Sequence, residues 1–244
     1  MGNININLSS RENRQNYDKF DSDKGQGISD NNPPPIPIKG ISLYNIRARK
    51  KLQSDAPDCV PYYDSIIKIV NSPEAFKMPD HMTQLDDVLY LGNLDDARDV
   101  NMLKENNITY IINTVENQDD DLCQTKSLYD DSFTYMGFDS EDKEEYPIMN
   151  HFEDVFSFIE DARKNNKRCL IHCMRGVNRS GVLAAAYIMV KNNIGPIMAV
   201  EIVYPKRGML LTNSSFISGL LLYAKQNGYI EHDKGYLALE NKNI

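Results

Sequence analysis

A chain of 244 residues with 27 Lys and Arg against 35 Asp and Glu, net charge −8, has room for one domain of ordinary size plus appendages. The acidic balance argues against broad nucleic-acid binding, which needs many Lys and Arg contacts to phosphates, and no apolar run is long enough to span a bilayer, so no stable membrane association is expected. Cys59, Cys123, Cys169 and Cys173 lack the paired spacings of a zinc site or a disulfide framework, which points to a reactive thiol in a reducing compartment: the cytoplasm, with the nucleus as a second address.

Residues 1–40 are dense in Asn, Asp, Ser and Gly and end in the run Pro33-Pro34-Pro35-Ile36-Pro37. Such a stretch buries too little apolar surface to offset its ordering entropy, so disorder is predicted. Met1-Gly2 opens like a myristoylation signal, but Ile6 stands where that motif wants Ser or Thr. Residues 41–79 interleave helical fragments with Pro57, Pro61, Pro73 and Pro79, the mark of a partly helical extension packed onto a domain. Within it, Arg47-Ala48-Arg49-Lys50-Lys51 reads as the solvated face of a short helix, with a nuclear address as the alternative.

The domain itself is assigned to residues 80–230, followed by a tail over 231–244. Val88 to Leu91 form a short strand bounded by Gly92-Asn93, and Thr109 to Val115 a fuller, β-branched one. Between them Leu94, Ala97, Val100 and Leu103 fit one helical face. A third strand is predicted from Phe133 to Phe138. Ile148, Phe152, Val155, Phe156 and Ile159 then fall on one side of a helix. Cys169-Leu170-Ile171-His172 reads as a buried central strand. An Ala-rich helix over 181–190 and two more, from Ile197 to Tyr204 and from Ser214 to Gln226, complete the series. Strands alternating with helices predict an α/β fold: a central, mainly parallel sheet flanked by helices, with its site at the carboxyl ends of the strands.

That edge is where the chemistry concentrates. Five residues, Met174, Arg175, Gly176, Val177 and Asn178, separate Cys173 from Arg179 at the start of a helix. A loop this short turns successive N–H groups inward above the positive end of the helix and forms a nest for phosphate or sulfate. Gly176 supplies the backbone freedom for the curve. In that field a thiol loses its proton readily, which makes Cys173 a nucleophile at neutral pH. The planar fork of Arg179 can grip two phosphoryl oxygens at once. Cys169, inside the strand with no loop around it, reads as packing.

Ser180 is placed to hydrogen-bond the sulfur and ease its departure, besides the helix-capping use common for Ser. His172, at the end of a buried strand, is expected to order the loop through hydrogen bonds more than to move protons. Arg207 reads by default as a surface residue, with added positive potential near the substrate entrance as the alternative. The leaving oxygen of a phosphate ester needs a proton, and Asp139, Glu141, Asp142, Glu144 and Glu145 all offer a carboxyl on one loop. Residue chemistry does not choose among them.

The run His172-Cys173-Met174-Arg175-Gly176-Val177-Asn178-Arg179-Ser180-Gly181 resembles the signature of the dual-specificity protein phosphatases, a branch of the protein tyrosine phosphatase superfamily. The resemblance extends from about Met82 to Tyr229, through Leu89-Tyr90-Leu91-Gly92-Asn93, Ile108-Thr109-Tyr110-Ile111-Ile112-Asn113 and Asn213-Ser214-Ser215-Phe216. It implies hydrolysis of phosphotyrosine and of phosphoserine or phosphothreonine through a phosphocysteine on Cys173, with phosphorylated proteins as substrates; no metal or cofactor is expected, since the nest and Arg179 already neutralise the phosphoryl charge. Counting ten residues back from Phe152, it implies Asp142 as the acid, with Asp139 second. It also gives Asn213 the task of bracing the phosphate loop, although Thr212 stands where the family usually has Pro. Two alternatives keep the chemistry and change the substrate. Asn178 before Arg179 occurs in RNA 5′-triphosphatases of the same fold, and phosphoinositide phosphatases share the Cys-to-Arg spacing but usually carry Lys where this chain has Met174 and Arg175. A third alternative is an inactive phosphoprotein-binding module, though such relatives generally lose the nucleophile that this chain keeps.

Overall fold

The computed structural model describes residues 43–72, 78–116 and 123–240. The expected disorder of residues 1–40 and the Met1-Gly2 signal lie outside them.

Strand β5 (Arg168–His172) runs through the middle of a five-stranded sheet. Cys169, Leu170 and Ile171 are buried, as expected of a parallel strand covered on both faces. The sheet order is β1 (Thr83–Gln84), β2 (Leu89–Gly92), β5, β3 (Ile108–Asn113), β4 (Thr134–Gly137). Only β1 runs antiparallel; β2, β5, β3 and β4 are mutually parallel. Their carboxyl ends therefore share one edge, with Gly92 and Asn113 each in register with His172 and Gly137 in register with Asn113. The mainly parallel sheet expected from the alternating pattern is thus present, with a two-residue edge strand added.

Helix α1 (Leu43–Asp55) and helix α2 (Val60–Val70) come from the segment read as an extension. Leu52, Tyr63 and Ile66 from these helices join the main hydrophobic core. The region expected as one helix between the first two long strands is two: α3 (Leu94–Arg98) and α4 (Val100–Glu105). Asp99 breaks it, because its side chain accepts from Met102 N at 2.9 Å and caps α4 instead of continuing α3. Helix α5 (Phe152–Lys164) buries Phe152, Val155 and Ile159 of the predicted stripe and adds Ala162, while Phe156 is partly buried and Ile148 is buried in a 3-10 turn (Ile148–His151) just before the helix. Helix α6 (Arg179–Asn192) is buried along nearly its whole length, which explains its Ala-rich, nearly uniform apolarity. Helices α7 (Pro196–Arg207) and α8 (Ser214–Gln226) pack against it.

Residues 231–240, read from sequence as tail, continue the fold and include helix α9 (Lys234–Glu240). Asp233 is buried at the amino terminus of α7, where its Oδ2 accepts from Ile197 N at 2.6 Å. Its Oδ1 has no partner among the described residues. Burial pushes this carboxyl up from its ordinary 3.8 to about 6, against the pull of the Ile197 and Met198 N–H groups. Between those pH values the folded chain holds a proton that the unfolded chain has released, so this group adds stability as pH falls from 7 toward 5. Asp233→Asn is expected to be more stable than the parent at pH 7 by about 1 kcal/mol, with the advantage shrinking at pH 5. Chemical denaturation at the two pH values checks it; an advantage that grows at pH 5 would show that the ionised form is the favoured one.

Candidate active site

The loop from Cys173 to Asn178 joins the end of β5 to the start of α6. Gly176 takes φ +66°, the left-handed region that a side chain disfavours. The turn brings its N–H to 3.1 Å from Cys173 Sγ, and Ser180 Oγ donates to the same sulfur at 3.2 Å. Cys173 is 2 % exposed. Burial alone would push its thiol up. The Arg179 charge, the Ser180 hydroxyl and the N–H groups of Ser180 and Val177 outweigh that and hold it below its ordinary value. Cys169, four residues earlier and equally enclosed, has no such field, and burial pushes its thiol well up.

Ser180 makes no side-chain cap on α6, whose amino terminus carries none; its hydroxyl is on the sulfur instead. Arg179 is 6 % exposed, its Nη1 donating to Ser140 O at 3.0 Å and its Nε without a partner among the described residues. None of the described carboxylates pairs with it. A buried guanidinium with no carboxylate counter-ion among the described residues, beside a thiol of lowered pKa, is suited to an incoming anion.

The other loop residues fall in ordered places. Met174 O accepts from Leu94 N at 3.3 Å, and Val177 O from Leu211 N at 3.1 Å. The Arg175 side chain is exposed at the rim. Asn178 O accepts from Val182 N at 2.8 Å as α6 begins. His172 is fully buried, and its ring nitrogens lack hydrogen-bond partners among the described residues. Burial drives its imidazole down to about 3, against a weaker pull from the Cys173 backbone, so the ring stays neutral. The expected ordering of the loop by ring hydrogen bonds is therefore not what holds this position: its carbonyl accepts from Thr114 N at 3.1 Å and Thr114 Oγ1 at 3.0 Å, which ties it to the end of β3.

Arg207 is not at an entrance. It is 1 % exposed and lies beneath the loop, with Nε donating to Gly176 O at 3.1 Å and Nη2 to Arg175 O at 3.4 Å. Its Nη1 reaches His81 O, Thr83 Oγ1 and Leu91 O, each at 3.3 Å, so one side chain joins the loop to β1 and β2. The surface reading fails because these carbonyls match the guanidinium fork and make its burial tolerable.

Asp142 sits on an exposed segment and is held at both carboxylate oxygens. Asn178 Nδ2 donates to Oδ2 at 3.0 Å and Asn213 Nδ2 to Oδ1 at 2.9 Å. Asn213 also accepts from Ser215 N at 3.2 Å, which caps α8, and its own N–H donates to Asn178 Oδ1 at 3.0 Å. Asp139 is exposed, and its carbonyl accepts from Tyr146 Oη at 2.9 Å. Among the five candidate carboxylates, Asp142 is the one whose side chain is tied to the Cys173 loop. Ser140 was not legible in sequence: it is buried, donates to Thr114 O at 2.5 Å and receives Arg179 on its carbonyl. A small polar residue amid acidic ones gives no periodic signal of that anchoring.

The fold and loop define an α/β domain whose strand-edge loop closes around a thiol held below its ordinary pKa beside a buried guanidinium. The family model described as dual specificity phosphatase, catalytic domain, matches residues 89–226. The chain belongs to that family. It is 34% identical over 139 residues to dual specificity protein phosphatase 15 of Mus musculus, covering 57% of this chain and 56% of the relative. MAP kinase phosphatase with leucine-rich repeats protein 2 of Dictyostelium discoideum is 37% identical over 139 residues, 57% of this chain but 19% of that protein. The chain thus matches about half of the mouse relative and a fifth of the amoebal one. The crystal structure of DUSP15 superposes with a TM-score of 0.55 at 26% identity, over 68% of this chain and 98% of that one.

Proposed function

We propose that this chain hydrolyses phosphate monoesters of proteins, on phosphotyrosine and on phosphoserine or phosphothreonine. The observation that carries the reading is Arg179, buried without a carboxylate partner among the described residues, beside the Cys173 thiol that it helps to hold below its ordinary pKa. The names of the mouse and amoebal relatives, both protein phosphatases, support the substrate class.

In the first step the Cys173 thiolate attacks phosphorus while the bond to the ester oxygen breaks and Asp142 gives that oxygen its proton. The loop N–H groups and Arg179 hold the equatorial oxygens as charge spreads over them. In the second step water attacks phosphorus, Asp142 takes a proton from it, and the P–S bond breaks. Ser180 Oγ, 3.2 Å from Sγ, stabilises the departing thiolate. The products are the alcohol or phenol, inorganic phosphate and the original enzyme.

Purified protein should release phosphate from para-nitrophenyl phosphate and from both phosphotyrosyl and phosphothreonyl peptides. Binding of these peptides with no release between pH 5 and 7.5 would leave a docking module instead. Asp142→Asn is expected to lower kcat about 100-fold on phenyl phosphate, whose leaving group needs a proton, and less than about tenfold on para-nitrophenyl phosphate, whose leaving group does not. Steady-state kinetics on the two esters checks it, and equal losses would move the acid to Asp139.

A further inference from the structure

Asn178 is the last loop residue before Arg179, and its side chain connects three stretches of chain. Its Oδ1 accepts from Thr212 Oγ1 and from Asn213 N, each at 3.0 Å, and its Nδ2 donates to Asp142 Oδ2 at 3.0 Å. The amide cannot be turned round, because that would set its N–H groups against the N–H of Asn213, which can only donate. The backbone of Asn213 therefore aims the Asn178 donor at Asp142.

The segment that carries Asp142 has neither helix nor strand over residues 140–147. A carboxylate on such a segment samples many rotamers, and pointing it at a leaving oxygen costs conformational entropy. Here the segment hangs from two consecutive residues at the start of α6. Arg179 Nη1 holds Ser140 O at 3.0 Å, and Asn178 Nδ2 holds Asp142 itself. Asn213 Nδ2 fixes the other oxygen and also donates to Lys143 O at 3.3 Å. Two of the four lone-pair sites of the carboxylate are used, one per oxygen, and each oxygen keeps one to carry or receive a proton.

We infer that Asn178 is the positioning residue for Asp142, setting the proton donor in register with the phosphoryl group held by the same loop. The inference rests on the hydrolase reading above and deepens it. It gives Asn178 a part in leaving-group protonation rather than in phosphate binding, since its side-chain amide is directed at Asp142, the Thr212 hydroxyl and the Asn213 N–H.

Asn178→Asp separates the two roles. It keeps an oxygen to accept from Thr212 and Asn213 but replaces the N–H donor facing Asp142 with a second carboxyl oxygen, so the donation that aims Asp142 is lost and the pair comes to share a proton between themselves instead of presenting it to the leaving oxygen. Expected is a fall in kcat on phenyl phosphate of about 10- to 100-fold, a fall of less than about threefold on para-nitrophenyl phosphate, and KM within about twofold for both. Added to Asp142→Asn, the substitution should bring no further loss on phenyl phosphate, because the group it positions is already gone. Asn178→Ser removes the donor without adding charge and should show the same selectivity for the poor leaving group if the charged variant does not fold. Equal falls on the two esters, a change confined to KM, or losses that add to those of Asp142→Asn would each overturn the assignment and leave Asn178 a structural or binding residue. A parent protein that hydrolyses neither ester would overturn the hydrolase reading itself, and this one with it.

Discussion

Cys173→Ser is expected to lower phosphate release from para-nitrophenyl phosphate by more than about 10⁴-fold while leaving phosphate-ester binding intact. The site lowers the thiol pKa by opposing burial with the Arg179 charge, the Ser180 hydroxyl and two backbone N–H groups. The same field acting on a serine hydroxyl starts from a group far less acidic than a thiol, so almost none of it ionises at neutral pH. Binding depends on other atoms: the Arg179 guanidinium and the loop N–H groups, which the substitution does not touch. Removing the thiolate also removes a like charge from beside the bound phosphoryl group, so affinity should hold or rise. Calorimetric titration with a phosphotyrosyl peptide reads the binding, and single-turnover assays read the chemistry. Activity within about 100-fold of the parent would rule out Cys173 as the nucleophile, and lost binding in a folded variant would show that the sulfur, not Arg179 and the nest, holds the substrate.

The part of the site that sequence reveals is the part written in consecutive residues. From His172 to Ser180 the strand end, the glycine, the arginine and the serine are spaced by the loop they form, so Cys173, Gly176, Arg179 and Ser180 take the expected positions. The apolar stripe of α5 is equally local, and the helix forms over Phe152, Val155 and Ile159, while α8 takes the expected bounds, Ser214–Gln226. What sequence conceals depends on partners far along the chain. Arg207 meets the loop carbonyls across 31 and 32 positions, and arginine is so seldom fully buried that its type argues for the surface. Ser140 meets Arg179 across 39 positions, and Asp142 meets Asn178 across 36. Five carboxyls on one loop are chemically equivalent until two amides select one of them. Strand β1, two residues long, carries no periodicity to detect, and Asp99 interrupts a helical stripe through a capping bond that a count of apolar positions ignores.

Arg207→Met is expected to cost about 3–5 kcal/mol of stability and, in whatever fraction stays folded, most of the catalytic rate. Methionine fills similar volume but supplies none of the five donations that reach Gly176, Arg175, Leu91, His81 and Thr83. Buried carbonyls left without donors each cost about 1–3 kcal/mol where water cannot replace the lost partner. A second loss is electrostatic. Asp96 is buried, burial pushes its carboxyl up, and the Arg207 charge is among the forces drawing it back down. The contacts also explain why position 176 must be glycine. A Cβ there would lie 2.4 Å from Arg207 Nη2 and 2.4 Å from Gly92 O, so the guanidinium and the strand end occupy the space a side chain would need. The loop is thus shaped from below as much as by its own turn, and Arg207 adds to the charge facing Cys173. Thermal denaturation should show a midpoint lowered by about 10 °C, and titration of Cys173 by alkylation rate should show its thiol pKa rising. Arg207→Lys, which keeps the charge without the fork, should restore part of the thiol acidity and little of the stability. A methionine variant with the parent's midpoint and alkylation profile would mean that the phosphate loop holds its shape without support from α7.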